Sequence, residues 1–365
     1  MMNFYNVHIS REAVDFATAT LKSGWVSAGD IVKEFERELE DQLGLYNPVA
    51  TNSGTSALHL ALAVNGIGRG DEVILPAQTF IATGLAILMA GATPVFADID
   101  PLTGNLCPAA VEEEITSKTK AIIPVHWGGY PCELNDFNNI ALANNLVVID
   151  DAAHALGATY WGYPIGGATH FTTFSFQAIK HLTTGDGGAL CCQKKGDAAR
   201  ARTLAWFNID RANSKPSLLG ERVYDTDTLG YKYHMNNVAA AIGLGNLIGF
   251  KERLWRRQRN GNRYRSRLRN VPGVTLLECQ QDRTHAYWLF TMLVEHREDF
   301  IRKLQEWNIP TSIVHRRIDS YSLFGGPYYL PGQTIFGEKQ ISLPVHDALK
   351  LETVDFICDI IEAGW

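Results

Sequence analysis

The sequence predicts an α/β protein with a large domain over residues 1–246 and a smaller α+β domain over residues 247–365. The large domain is expected to hold a mostly parallel sheet. Three observations lead there. Short apolar runs recur along the first half of the chain, with helix-like stretches between them, as in successive βαβ units. The chain has 365 residues, enough for one large core and a second, smaller one. The pattern then changes after an arginine-rich stretch that ends at Pro272-Gly273.

The elements follow in order. Val73-Ile74-Leu75, Pro94-Val95-Phe96-Ala97, Ala121-Ile122-Ile123-Pro124-Val125 and Leu146-Val147-Val148-Ile149 read as buried strands. Continuous apolar runs of this length suit strands covered on both faces. Thr83 to Ala90 and Leu134 to Asn144 read as helices between them. Ser53-Gly54-Thr55-Ser56 stands before the apolar run Ala57 to Ala63 and marks a helix start. The unpaired N–H groups of such a start, with the helix dipole, suit a phosphate. A plain N-cap explains the same residues. Leu247 to Asn270 reads as one long helix whose arginines form a solvated face. Tyr287 to Val294 looks like a strand, Asp299 to Trp307 like a helix, and the polar stretch Asn208 to Tyr224 like a loop.

Composition narrows the function classes. Hydrophobic residues make up 46% and charged residues 20%, as in ordinary soluble globular proteins. The net charge of −6 leaves no basic surplus for nucleic-acid phosphates. The six cysteines form no CxxC pair, so no zinc or other metal site is expected. Their scatter suits reduced thiols in a cytoplasmic enzyme. The first residues lack a basic stretch followed by a long apolar one, so no signal peptide is expected. No apolar run approaches the ~20 residues of a membrane span.

The chemistry is concentrated around Lys180, within Phe174-Ser175-Phe176-Gln177-Ala178-Ile179-Lys180-His181-Leu182 and just before the turn Gly185-Asp186-Gly187-Gly188. A Schiff-base lysine must be desolvated so that its neutral amine is available. Phe174, Phe176, Ile179 and Leu182 are candidates for that shielding. Upstream, the apolar run Val147-Val148-Ile149 ends in Asp150-Asp151. A lysine to hold an aldehyde and an aspartate to hold a ring nitrogen are the two groups that pyridoxal 5′-phosphate chemistry requires. Asp151 also reads as a helix cap after a strand. Phe80 suits stacking on a pyridine ring or a place in the core, and Ser175 suits a phosphate or a strand edge. His154, three residues beyond Asp151, is placed to face the same ring or to serve a structural role.

Together these residues resemble the sugar aminotransferases of the DegT/DnrJ/EryC1/StrS family, in the fold-type I group of pyridoxal-phosphate enzymes. The resembling blocks run in order. They are Ser23-Gly24-Trp25-Val26-Ser27-Ala28-Gly29, Asn52 to Leu58, Pro76 to Thr83, Asp151 to Gly157, Ser175 to Lys180 with its glycine turn, and Gly230 to Asn237. The resemblance implies that Lys180 binds the cofactor covalently and shuttles the proton. It gives Asp151 the ring nitrogen, His154 the ring's hydroxyl side and Phe80 the stacking face. Gly54, Thr55 and Ser175 would bind the phosphate, with Lys232 reaching the phosphate of a partner subunit in a homodimer. Many relatives carry asparagine at the position of Lys232 and arginine at that of His234. An ammonium ion still suits a phosphate. A dehydratase branch replaces the lysine with histidine, so Lys180 favours transamination.

The implied substrates are L-glutamate and a nucleotide-linked keto-deoxysugar, with a 4-keto-6-deoxyhexose preferred to a 3-keto sugar. Such amines enter deoxysugar biosynthesis, including that of lipopolysaccharide O-antigen. Trp25, Ser27, His315 and Arg316 are the substrate-binding candidates, with Arg317 beside them, and a solvated basic turn explains the last three as well. A non-catalytic sensor that keeps the cofactor as a ligand is the rival from another class. A nicotinamide enzyme is disfavoured, because Gly66-Ile67-Gly68-Arg69-Gly70 has the wrong spacing and precedes a strand.

Overall fold

A computed structural model describes residues 2–211 and 214–365. Helices α1 (Arg11–Ser23) and α2 (Asp30–Leu43) lead into strand β1 (Pro48–Thr51). Helix and strand then alternate through α3 (Gly54–Val64), β2 (Glu72–Pro76), α4 (Ile81–Met89), β3 (Thr93–Ala97), α5 (Pro108–Glu113), β4 (Thr119–Ile122), α6 (Leu134–Asn144) and β5 (Val147–Asp151). A hairpin of β6 (Thr159–Tyr160) and β7 (Tyr163–Pro164) precedes β8 (Phe171–Ser175) and β9 (Gly188–Cys192). Helices α7 (Lys195–Ala205), α8 (Asn237–Leu247) and α9 (Phe250–Leu268) follow. The chain ends with β10 (Val274–Leu276), β11 (Arg283–Thr284), β12 (Phe290–Val294), α10 (Arg297–Glu306), α11 (Pro331–Lys339), β13 (Gln340–Leu343) and α12 (Leu351–Glu362).

Among the described residues, seven strands form the main sheet in the order β1-β9-β8-β5-β4-β2-β3. The pairs from β8 through β3 are parallel, and β9 runs antiparallel to both β1 and β8. Alternate side chains leave such a sheet on opposite faces. Ile74, Ile122 and Val148 join Phe35, Leu134 and Phe137 under α2 and α6. Val73, Leu75, Ala121 and Ile149 join Leu58, Leu60 and Ala86 under α3 and α4 on the other face. The same alternation separates the doubled acid, sending Asp150 to the α6 side and Asp151 to the α3–α4 side. The C-terminal α+β part is built on the antiparallel sheet β10-β12-β13, packed with α9, α10 and α12 around Tyr264, Phe290 and Ile357.

Several sequence expectations shift. The expected strand from Tyr287 begins only at Phe290. Tyr287 adopts φ +50°, and the backbone of Ala286 and Leu289 bonds to Gly129 and Gly128 instead of a strand. The long helix from Leu247 is cut at Gly249, whose φ of +72° ends α8 and starts α9. Its arginines are not a uniformly solvated face. Arg257 is buried beside Asp347 at 3.3 Å, and Arg263 and Arg267 pair with Asp355, Asp359 and Glu362 of α12. A guanidinium is tolerated there because a carboxylate meets it. Segment 208–224 is irregular, with an isolated bridge between Pro216 and Arg222, and Ala212 and Asn213 of that stretch lie outside the described residues.

Candidate active site

The carboxyl ends of β2, β5 and β8 and the start of α3 enclose a cavity of about 340 Å³. This is the edge where ligands collect in parallel sheets. Gly54, Thr55, Phe80, Asp151, His154, Ser175, Lys180 and His315 all line it, from segments far apart in sequence.

Helix α3 is capped by Ser53, whose Oγ accepts from the Ser56 amide at 3.0 Å. The next two amides, of Gly54 and Thr55, belong to the first turn, where no intrahelical acceptor exists. A Cβ on Gly54 would lie 3.0 Å from Cβ of Ser175, and one on Gly188 would lie 2.6 Å from N of Gly54. The helix start is therefore pressed against β8 and β9, and the backbone approach requires glycine at 188 and leaves little room for a larger residue at 54.

Asp151 is buried, and its carboxylate is held from two sides. Thr83 Oγ1 donates to Oδ2 at 2.8 Å, and the Ala153 amide donates to Oδ1 at 3.2 Å. Thr83 spends its single proton on Asp151, so Thr79 Oγ1 donates to Thr83 across 2.7 Å. Burial raises the pKa of the Asp151 carboxyl, opposed first by Thr83, then by Ala153 and the nearby charge of Lys180. A cationic ring nitrogen brought into the cavity would oppose it further. Asp150 points away from the cavity, accepting from Thr169 Oγ1 at 2.8 Å.

Lys180 lies in the turn after β8, with its amide bonded to the Gln177 carbonyl at 2.9 Å. Its Nζ stands 3.8 Å from the ring centroid of Trp288. Trp288 is fixed by its indole N–H, which donates to the Ile179 carbonyl at 3.0 Å, and by the His154 ring stacked on it at 3.8 Å. Burial lowers the pKa of the Lys180 amine to about 7, against a smaller opposing pull from Asp151. Phe174 and Ile179 do line the cavity, as the sequence suggested for the lysine's shield. Phe176 and Leu182 instead belong to the core beneath α2, where Phe176 packs edge-on to Phe35.

Two imidazoles complete the cavity. Burial drives the pKa of His154 well below its usual value and that of His315 down to about 4, and in both the Lys180 charge adds to the effect. Both rings are thus neutral at physiological pH. His154 Nδ1 and His315 Nε2 have no hydrogen-bond partner among the described residues. Neutral nitrogens with unused capacity suit contacts to polar groups of a ligand.

Other expected residues lie elsewhere. Trp25 is 78% exposed, and Ser27 lines a shallow surface depression with Asp186 and Asn236. Lys232 is exposed, its carbonyl held by Asn52 Nδ2 at 3.0 Å. Arg316 is exposed outside the cavity, and Arg317 is engaged by Asp319 through two bonds of 2.7 and 2.5 Å. Within this one chain none of these five lines the cavity. Trp288 and Thr83 are functional residues that the sequence reading missed. Trp288 was hidden in an apolar run read as strand. Thr83 stood at the end of the block from Pro76, where its threonine spacing from Thr79 was the available signal.

The residues present fit pyridoxal 5′-phosphate: a half-buried amine of lowered pKa, a buried carboxylate in the same cavity, an aromatic ring at the rim and a glycine-backed helix start for the phosphate. A mostly parallel α/β sheet bearing this set at its carboxyl edge is the arrangement of a pyridoxal-phosphate-type fold, and the family match assigns the aminotransferase class. The chain belongs to the DegT/DnrJ/EryC1/StrS aminotransferase family, whose model matches residues 7–362. It is 36% identical to the spore coat polysaccharide biosynthesis protein SpsC of Bacillus subtilis, over 97% of this chain and 94% of that protein. It is 39% identical to the GDP-perosamine synthase of Caulobacter vibrioides, over 76% of this chain and 73% of that protein. The crystal structure of the sugar aminotransferase CalS13 from Micromonospora echinospora superposes with a TM-score of 0.95 at 32% identity, covering 100% of both chains.

Proposed function

We propose that this protein is a pyridoxal-phosphate-dependent aminotransferase that moves the amino group of L-glutamate to a nucleotide-linked keto-deoxysugar, a 4-keto-6-deoxyhexose. It would act in the cytoplasm as a homodimer. The observation that carries the reading is the half-buried Lys180 amine, with its pKa near 7, sharing one cavity with the buried Asp151 carboxylate. Similarity to a GDP-perosamine synthase and to a sugar aminotransferase supports a nucleotide-sugar acceptor.

When bound, pyridoxal 5′-phosphate supplies an aldehyde for the substrate nitrogen and a ring that draws off the electron pair left at Cα. Lys180 Nζ, in its neutral form, would take the proton from Cα of the amino acid and return one to the sugar carbon in the second half-reaction. Asp151 holds a proton at the ring nitrogen. Gly54, Thr55 and Ser175 hold the phosphate. Phe80 would cover one face of the ring, and His154 would be a neutral polar neighbour to it. His315 meets the substrate at the rim. Lys232, exposed in the single chain, reaches the phosphate in the partner subunit.

The experiment is a screen of GDP-, dTDP- and UDP-linked keto-sugars with L-glutamate, read by the mass change from ketone to amine. Amination of a 4-keto sugar together with release of 2-oxoglutarate is the expected result. Amination of a 3-keto sugar alone would move the acceptor position. A visible absorption band unmoved by glutamate, with no amine formed from any acceptor, would favour a cofactor-binding sensor.

A further inference from the structure

Three glutamine side chains meet in the core beside the cavity, each from a different part of the chain. Gln78 and Gln333 are fully buried and Gln340 is 1% exposed. Gln78 follows β2 and stands two residues before Phe80. Its Oε1 accepts from Gln333 Nε2 at 2.8 Å and from Gln340 Nε2 at 3.3 Å. Its own Nε2 donates to the carbonyl of His315 at 3.3 Å. The donor directions are settled by chemistry, since a carboxamide oxygen that accepts twice leaves only its nitrogen to face a carbonyl.

The two outer glutamines sit on fixed elements. Asp98 caps the start of α11, accepting from the Gly332 and Gln333 amides at 2.7 and 2.8 Å. Gln340 opens β13 and pairs with Leu293 of β12. The segment they serve is strained. Val314 adopts φ +60°, a region that β-branched residues rarely enter. Ser312 is tied to Ser342 and Ile318 to Ala77 by backbone bonds, and the His315 carbonyl lies between those ties. The arrangement does not maximise stability. Gln333 Oε1 and Gln340 Oε1 are buried with no partner among the described residues, and unmet polar atoms are costly.

We propose that Gln78, braced by Gln333 and Gln340, is a positioning residue that sets where His315 stands against Phe80, and so tunes acceptor binding. The two rings lie 5.2 Å apart between centroids. One segment thus contacts Asp151 through Thr83, offers Phe80 to the cavity and carries the strained turn of the C-terminal part. The inference rests on the reading of His315 as a substrate-facing residue.

The test compares the holoenzyme with Gln78→Met and, as a milder variant, Gln333→Met. Three quantities are measured: amide exchange over residues 312–318, the titration midpoint of the His315 imidazole by NMR, and KM against kcat for the keto-sugar. Exchange should rise about tenfold or more, and acceptor KM about tenfold with kcat within about threefold. Looser packing admits water, so the His315 midpoint should climb from about 4 toward the ordinary imidazole value. Gln333→Met should move all three in the same direction by less, and carries the test alone if Gln78→Met does not fold. A lower melting temperature with an unchanged His315 midpoint and unchanged KM in both variants would make the cluster merely structural and overturn the proposal. If the wild-type enzyme aminates no keto-sugar, the functional reading fails, while exchange and titration still decide whether the glutamines position His315.

Discussion

Lys180 is partly withdrawn from water, and that one change alters its chemistry. An exposed lysine, with a pKa of ~10.4, is almost wholly protonated at neutral pH. With a pKa near 7, Lys180 is neutral in about half the molecules at pH 7, about a tenth at pH 6 and about nine-tenths at pH 8. In cofactor-free protein, competitive amine labelling at Lys180 should therefore rise with a midpoint near pH 7, while surface lysines remain unreactive until far higher pH. A midpoint near 10 would show a solvated amine. Lys180→Ala should lower transfer by at least ~10²–10⁴-fold with the circular dichroism spectrum unchanged. Retained turnover would remove this lysine from the mechanism. Thr83→Val deletes the hydroxyl that holds Asp151 Oδ2 at 2.8 Å. Hydrogen bonds to charged groups are worth about 1.5–3 kcal/mol, so kcat/KM should fall about tenfold or more.

At the scale of elements, the site depends on how closely α3 is seated on β8 and β9. Gly188→Ala would place a methyl group against the Ser53–Gly54 backbone, which has no rotamer through which to yield. The expected cost is about 1–3 kcal/mol, read as a lower melting temperature together with weaker cofactor retention. An unchanged melting temperature would show that α3 is not so tightly seated. Much of this architecture was legible in the sequence. Short apolar runs announced β2, β3 and β5, and Ser53-Gly54-Thr55 announced the start of α3. The segment Lys180 to Gly188 announced the turn beside the cavity. The misreadings have local causes. Continuous hydrophobicity from Tyr287 to Val294 concealed the left-handed Tyr287 that turns Trp288 toward Lys180. Arginine density on α9 suggested solvent, because its acidic partners on α12 and at Asp347 are remote in sequence. The glutamine cluster had no sequence signature, since α11, β13 and the turn after β2 that carry its members are remote in sequence and meet only in the fold.

For the whole molecule, the proposed homodimer would need an apolar surface to bury, and exposed apolar side chains are present. Leu219 is 90% exposed, Leu229 82% and Val223 65%, all in the stretch that leads to Lys232. Apolar residues grouped on a surface in this way mark contact sites. The homodimer reading predicts that sedimentation gives twice the 40.4 kDa chain mass. It also predicts that Lys232→Ala weakens cofactor affinity about tenfold without altering assembly, as expected for loss of one charge-assisted phosphate contact. An active monomer with full cofactor affinity would contradict that role for Lys232. The account as a whole depends on where the cofactor attaches, and borohydride reduction of the loaded protein followed by peptide mapping reads this directly. A single pyridoxyl group on the peptide containing Lys180 is the predicted result. A group on another lysine, or none, would contradict the central claim.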